Sequence, residues 1–172
     1  MDRFSRDQIL AALAALAGEL REEPRQRELI LAGGAAMVLL YGARESTRDV
    51  DAVVAERETL RAARRAAVHA GLPEDWLNDA AKGYLHGLAV GPTVFETPTL
   101  VVRVLAPHQL LAMKLCAWRD DLDIEDARVL LRSSGADREG VWRIVEPHLV
   151  PGRELKAKYA FDDLWEAEHG PA

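Results

Sequence analysis

The chain has 172 residues, 49% of them apolar and 29% charged, with a formal net charge of −6 at pH 7. This length suits one domain with a small helical lobe, and the composition can bury a core, which excludes wholesale disorder. The acidic balance excludes a generic polyanion binder, whose surface must be basic, but leaves room for a local basic pocket. A single cysteine, Cys116, rules out a disulfide within one chain, fits a reducing compartment and reads as a small buried hydrophobe. Asp2, Arg3, Arg6 and Asp7 interrupt the N-terminus, so no signal peptide is expected. No stretch approaches the ~20 apolar residues that span a bilayer. The expectation is a soluble cytoplasmic protein with no membrane partner.

Ser5 with Gln8 makes a capping box, and Ile9, Leu10, Leu13, Leu16, Ala17 and Leu20 recur at helical spacing, predicting a helix over Arg6 to Glu22 that ends before Pro24. Glu28 to Ala32 reads as a short buried strand broken by Gly33-Gly34. The apolar run Ala35 to Tyr41 reads as a helix stopped by Gly42. A polar loop, Ala43 to Arg48, leads to a β-branched strand over Asp49 to Val54. Arg57 to Ala70 is a basic-faced helix closed by Gly71, and Leu72 to Gly91 is irregular, with Trp76 and Leu77 as core anchors. Thr93 to Phe95 and Thr99 to Leu105 read as two paired strands. Pro107 opens a helix over His108 to Trp118, and Asp123 opens the next, closed by Gly135. Helices over Arg138 to Glu146 and Arg153 to Glu168 follow. The class is α+β: a small mixed sheet flanked by helices, core 28–105, with a helical C-terminal part over 107–172, in one domain.

Three features between Leu31 and Val54 carry chemistry. Gly33 and Gly34, between a strand and a helix, let backbone approach a phosphate closely, and a helix start offers N–H donors and a positive dipole. Asp49 and Asp51 lie two apart at a strand start, so both carboxylates aim at one spot and call for a divalent cation between them. The alternatives are a pair of solvated strand-edge acids, or Asp49 as the cap of a turn. Ser46, Thr47 and Arg48 supply hydroxyls and a guanidinium of the kind a triphosphate needs, unless Arg48 pairs with Glu45, Asp49 or Asp51.

The run G-G-A-A-M to S-T-R-D-V-D resembles the signature of polymerase β-type nucleotidyltransferases, and most of all the AbiEii/MenT-like group of bacterial toxin–antitoxin nucleotidyltransferases. A second stretch, Leu110 to Leu130, is similar to that group's helical Lys followed by D-x-x-D-[IL], and Trp76-Leu77-Asn78 before Asp79 resembles it as well. The resemblance covers roughly residues 29–131. It implies a nucleotidyltransferase fold in which Gly33 and Gly34 contact nucleotide phosphates and Asp49 and Asp51 hold Mg²⁺ or Mn²⁺. It also implies that Lys114 pairs with the triphosphate and that Asp126 or Asp123 completes the pocket. Against these roles, Lys114 can be a solvated surface lysine, and Asp123 and Asp126 can be helix-capping acids. The substrate would be an NTP, the acceptor a tRNA 3′ end, and the partner a cognate antitoxin protein.

One departure stands out. The superfamily places a third carboxylate on a later strand, whereas Leu100 to Val104 holds none and Glu96 falls before it. This keeps two other functions open: transfer to a small molecule such as an antibiotic, and a catalytically silent binding or regulatory module. The five histidines (69, 86, 108, 148 and 169) have no metal-ligand spacing, and Arg61, Arg64 and Arg65 form a basic helical patch that reads as a solvated face.

Overall fold

The computed structural model describes residues 3–22 and 24–171. Asp2, one of the charges in the N-terminal reading, lies outside them. Tertiary contacts divide the chain into two compact units, Met1–Lys82 with Val90–Leu105, and Gly83–Ala89 with Ala106–Ala172.

The first unit opens with a two-residue strand, β1 (Phe4–Ser5), running into helix α1 (Arg6–Glu19). The capping box forms as the sequence predicts: Ser5 N–H donates to Gln8 Oε1 at 2.8 Å and Gln8 N–H to Ser5 Oγ at 3.4 Å. The helix stops at Glu19 rather than Glu22. Its end tightens into a turn, with Leu20 N–H on Ala17 O (3.3 Å) and Arg21 N–H on Gly18 O (3.4 Å). Strand β2 (Arg27–Leu31) is followed by a short helix α2 (Gly33–Ala36), a π-helical turn (Met37–Tyr41), and strands β3 (Ser46–Thr47) and β4 (Val50–Val54). Helix α3 (Arg57–Ala70) matches its predicted bounds and ends at Gly71, whose φ of +64° favours glycine. Its alanines 62, 63, 66 and 67 are buried, and the helix packs on α1. Two of the arginines on its outer face pair with acids, Arg61 with Glu58 (3.4 Å) and Arg65 with Glu19 (3.2 Å).

The segment 72–91 is more ordered than its sequence suggests. It holds strand β5 (Leu77–Asn78) and a 3₁₀ turn (Ala80–Tyr84), and strand β6 (Val90–Glu96) begins three residues before the predicted Thr93. Gly91-Pro92 reads as a break, but here it lies in a strand at the sheet edge with irregular register, where proline's missing N–H has no ladder partner to lose. With β7 (Leu100–Leu105) the order is β5-β4-β2-β7-β6. β2 lies antiparallel to β4 and parallel to β7, so the sheet is mixed. Leu29, Ile30, Leu31, Leu100, Val102 and Val104 are at most 1% exposed and centre the core on β2 and β7.

The second unit is built around helix α4 (Pro107–Ala117), which packs against α5 (Asp121–Ser134), α6 (Arg138–Val145) and α7 (Glu154–His169). Apolar residues surround α4 on all sides because it is the buried element of this unit. Cys116 is fully buried, and burial pushes its thiol pKa up, as suits a small apolar residue. Helix α5 opens earlier than predicted. Asp120 is the N-cap, accepting from Asp123 N–H at 3.0 Å, which places Asp123 in the first turn. The irregular segment 83–89 is held by fully buried Gln109, whose Nε2 donates to the carbonyls of His86 and Gly87 at 3.1 Å each and whose Oε1 accepts from Ala89 N–H. Among the described residues no helix is long and apolar enough to cross a membrane.

Gln109 satisfies three backbone groups at once, so Gln109→Leu should cost about 2–4 kcal/mol of unfolding free energy in a urea titration, since each stranded polar group costs ~1–3 kcal/mol. A loss below about 0.5 kcal/mol would show that water replaces the amide at no cost.

Candidate functional site

In the first unit β2 delivers the chain into a turn that only glycine can make. Gly33 takes φ +58°, and a Cβ there would lie 2.5 Å from Asp51 Oδ2. A Cβ on Gly34 would strike Thr47 Oγ1 and sit 3.3 Å from Arg44 Nη1. Three polar side chains therefore converge on this turn, and absent Cβ atoms make the approach possible. Ala32 N–H donates to Asp51 O at 2.9 Å and ties β2 to β4 beside the turn. The helix that follows starts at Gly33, two residues before the predicted Ala35, so both glycines belong to its first turn, where N–H groups lack intrahelical acceptors. The predicted helix continues to Tyr41 as a π-helical turn and ends at Gly42, with φ +55°. Arg6 donates to Leu39 O within this turn.

β3 is pinned by pairing with β1, Phe4 opposite Thr47 and Ser5 opposite Ser46. This buries Thr47 to 6% exposure, leaves Ser46 half-buried, and sets the Thr47 hydroxyl over Gly34. Arg48 is exposed; the guanidinium at the turn belongs to Arg44. The sequence offered for Arg44 only its place in the polar loop. β4 begins at Val50, one residue later than predicted, with Asp49 just ahead of it and Asp51 within it. Both acids are half-buried. Asp49 Oδ2 accepts from Asn78 Nδ2 at 3.1 Å, a contact made possible by the parallel pairing of β4 with β5.

Two carboxylates on alternate residues at a strand mouth are oxygen donors of the type that hard divalent cations take. Among the described residues no group of three or more His, Cys, Asp or Glu side chains could hold a metal. The chain thus offers Asp49 and Asp51, and phosphate oxygens and water would fill the rest of a Mg²⁺ or Mn²⁺ shell. On β7, Arg103 rather than an acid faces solvent, 3.8 Å from Glu28.

Lys114 and Asp126 meet in the second unit. Lys114 is 9% exposed, and its ammonium lies 2.8 Å from Asp123 Oδ1 and 2.7 Å from Asp126 Oδ2. Asp123 Oδ2 also accepts from the backbone N–H and Nε of Arg119, at 3.2 and 3.1 Å. A lysine inside an apolar run must reach solvent or an anion, and here two anions come to it from α5. Burial opposes the charge on Asp123, but the bonds from Lys114 and Arg119 outweigh it and hold the carboxyl below its ordinary value. Both acids serve as ion-pair partners, and the capping role falls to Asp120.

Removing Lys114 would take the shared ammonium from two buried carboxylates, of which Asp123 keeps Arg119, so Lys114→Met should cost about 3–5 kcal/mol. A depressed folded-state pKa means that the Asp123 contribution is complete above the unfolded value of ~3.9 and is lost as pH falls through the folded value. The stability gap between wild type and Asp123→Asn should therefore be constant near neutrality and close below about pH 4. A gap that persists undiminished into strong acid would contradict the pairing.

Comparison with curated proteins and with solved structures finds no match. Residues 8–134 match the family described as nucleotidyltransferase of unknown function (DUF6036). The matched span takes in the Gly33-Gly34 turn, Asp49 and Asp51, and the Lys114 cluster. The α+β architecture, with a five-stranded mixed sheet flanked by helices, is that of a nucleotidyltransferase fold. Since the match covers most of the chain, the protein belongs to this nucleotidyltransferase family.

Proposed function

We propose that the protein moves a nucleoside monophosphate from an NTP to an acceptor hydroxyl with the help of Mg²⁺ or Mn²⁺. The observation that carries this reading is the convergence of Asp51, Thr47 and Arg44 on the Gly33-Gly34 turn. The acceptor oxygen forms a bond to the α-phosphorus, the bond to the β-phosphate bridging oxygen breaks, pyrophosphate leaves, and the hydroxyl proton passes to solvent. Gly33 and Gly34 N–H groups, the Thr47 hydroxyl and the Arg44 guanidinium donate to phosphate oxygens, and the turn, with Gly33 half-buried and Gly34 buried, keeps bulk water from one side of them. Ser46 and Arg48 flank this set. Asp49 and Asp51 would hold the cation, which would supply charge neutralisation at the α-phosphate and a more acidic acceptor hydroxyl. Resemblance gives Lys114 and Asp126 a place at the triphosphate. Two carboxylates already share the Lys114 ammonium, and this ion cluster favours instead a role in holding α4 to α5.

The choice of acceptor rests on resemblance to toxin nucleotidyltransferases, which supports a tRNA 3′ end and a cognate antitoxin partner. The net charge of −6 favours a small-molecule acceptor, and the lack of an acid on β7 favours a silent fold. Incubation with labelled NTPs, Mg²⁺ and either total RNA or a panel of small hydroxyl compounds separates the three. Label in RNA supports the tRNA reading, label in a small product the second, and no transfer the third.

Asp49→Asn and Asp51→Asn should each reduce transfer to background while the fold persists, because half-exposed acids at a strand mouth contribute little to stability and their mutual repulsion is relieved. Mg²⁺ at about a hundred times its dissociation constant should stabilise the wild type by ~2.7 kcal/mol and neither variant by as much. Full transfer by both variants would remove the metal assignment.

A further inference from the structure

Asn78 lies beside Asp49 in a geometry that a turn residue does not need. Its Oδ1 accepts from Ala80 N–H at 2.9 Å, and its Nδ2 donates to Asp49 Oδ2 at 3.1 Å. Each bond fixes the other. Flipping the amide would set its NH₂ against an N–H and its carbonyl against a carboxylate, so one orientation alone satisfies both partners. The strand carrying Asn78 is itself registered. Asn78 stands opposite Asp51 in the parallel β4–β5 pair, and Val50 N–H donates to Trp76 O at 2.8 Å. Trp76, 1% exposed, is anchored in turn by its Nε1 on Ala63 O at 3.0 Å. A rigid chain of contacts therefore runs from the buried face of α3 to one oxygen of Asp49.

We propose that Asn78 is a positioning residue for Asp49. It holds Oδ2 and so directs Oδ1 toward the cation that Asp49 and Asp51 share. The proposal rests on the metal reading given above. A donor on one carboxylate oxygen does two things. It removes the rotation that a strand-mouth aspartate otherwise loses on binding metal, and it lowers the cost of bringing two carboxylates together before the cation arrives. Asp49 is held through Asn78, as Asp51 is by its seat against Gly33.

Two variants separate positioning from turn structure. Asn78→Leu keeps the volume and loses both bonds. Asn78→Ser keeps a hydroxyl that can accept from Ala80 N–H, but its short side chain cannot reach Asp49. Mn²⁺ binding to the full-length protein, read as the loss of the free-ion electron paramagnetic resonance signal, should weaken about ten- to a hundredfold in both variants. The metal-free melting temperature of Asn78→Ser should stay at the wild-type value. In transfer assays kcat should fall with KM for NTP unchanged, since the phosphate donors are intact. If wild type binds Mn²⁺, Asp49→Asn abolishes binding and Asn78→Ser binds as tightly as wild type, the positioning role is overturned and the metal reading stands. If wild type binds no Mn²⁺ at millimolar concentration, both fall together.

Discussion

The first unit depends on an approach distance. A carboxylate and a hydroxyl sit too close to residues 33 and 34 for either to carry a Cβ, and an arginine reaches the second of them. Such packing cannot be relaxed by rotamer changes on the glycine side, because there are no side chains to move. It obliges the surrounding elements to hold fixed places. β1 must pair with β3 to seat Thr47, β2 must bond β4 through Ala32 and Asp51, and Arg6 must meet the π-helical turn that follows. The glycines are thus constrained twice over, by positive φ at Gly33 and by crowding at both positions.

The second unit answers a different constraint. Helix α4 is buried on every side, so its lysine could be accommodated only by bringing counter-charges to it. α5 does this with two aspartates three residues apart, on one face of the helix. Arg119 adds two bonds to Asp123, from its backbone N–H and its Nε, and leaves that carboxylate well satisfied. An ion cluster of this sort fixes how one helix lies on another more firmly than apolar contact alone, because sliding either helix would strand a buried charge.

Much of this was legible in the sequence, for definite reasons. Gly33-Gly34 and the Asp49/Asp51 spacing are local patterns with one backbone consequence each, and the bounds of α3 follow from its closing glycine. The Lys114 context required an anion but could not name it, since Asp123 and Asp126 lie nine and twelve positions away. Among Asp120, Asp121 and Asp123 any could cap α5, and only geometry selects Asp120. The order in 72–91 was hidden because β5 is two residues long and depends on pairing with β4, and because Gly91-Pro92 reads as a break although it forms part of an edge strand. Arg44 could not be read from the sequence as a neighbour of the glycine turn, and Asn78 stood out only through the Trp76-Leu77-Asn78 resemblance, without a contact: their partners are brought by loop path and strand pairing rather than by spacing.

The most direct measurement is an amide NMR titration of the intact protein with Mg²⁺ and an NTP analogue that cannot be cleaved between its α- and β-phosphates. If the glycine turn cradles phosphate, the Gly33 and Gly34 amide signals move together and saturate at one concentration, with Thr47 following them. If saturating analogue leaves both glycine amides in place while shifting others, the nucleotide binds elsewhere and the account of this turn is wrong.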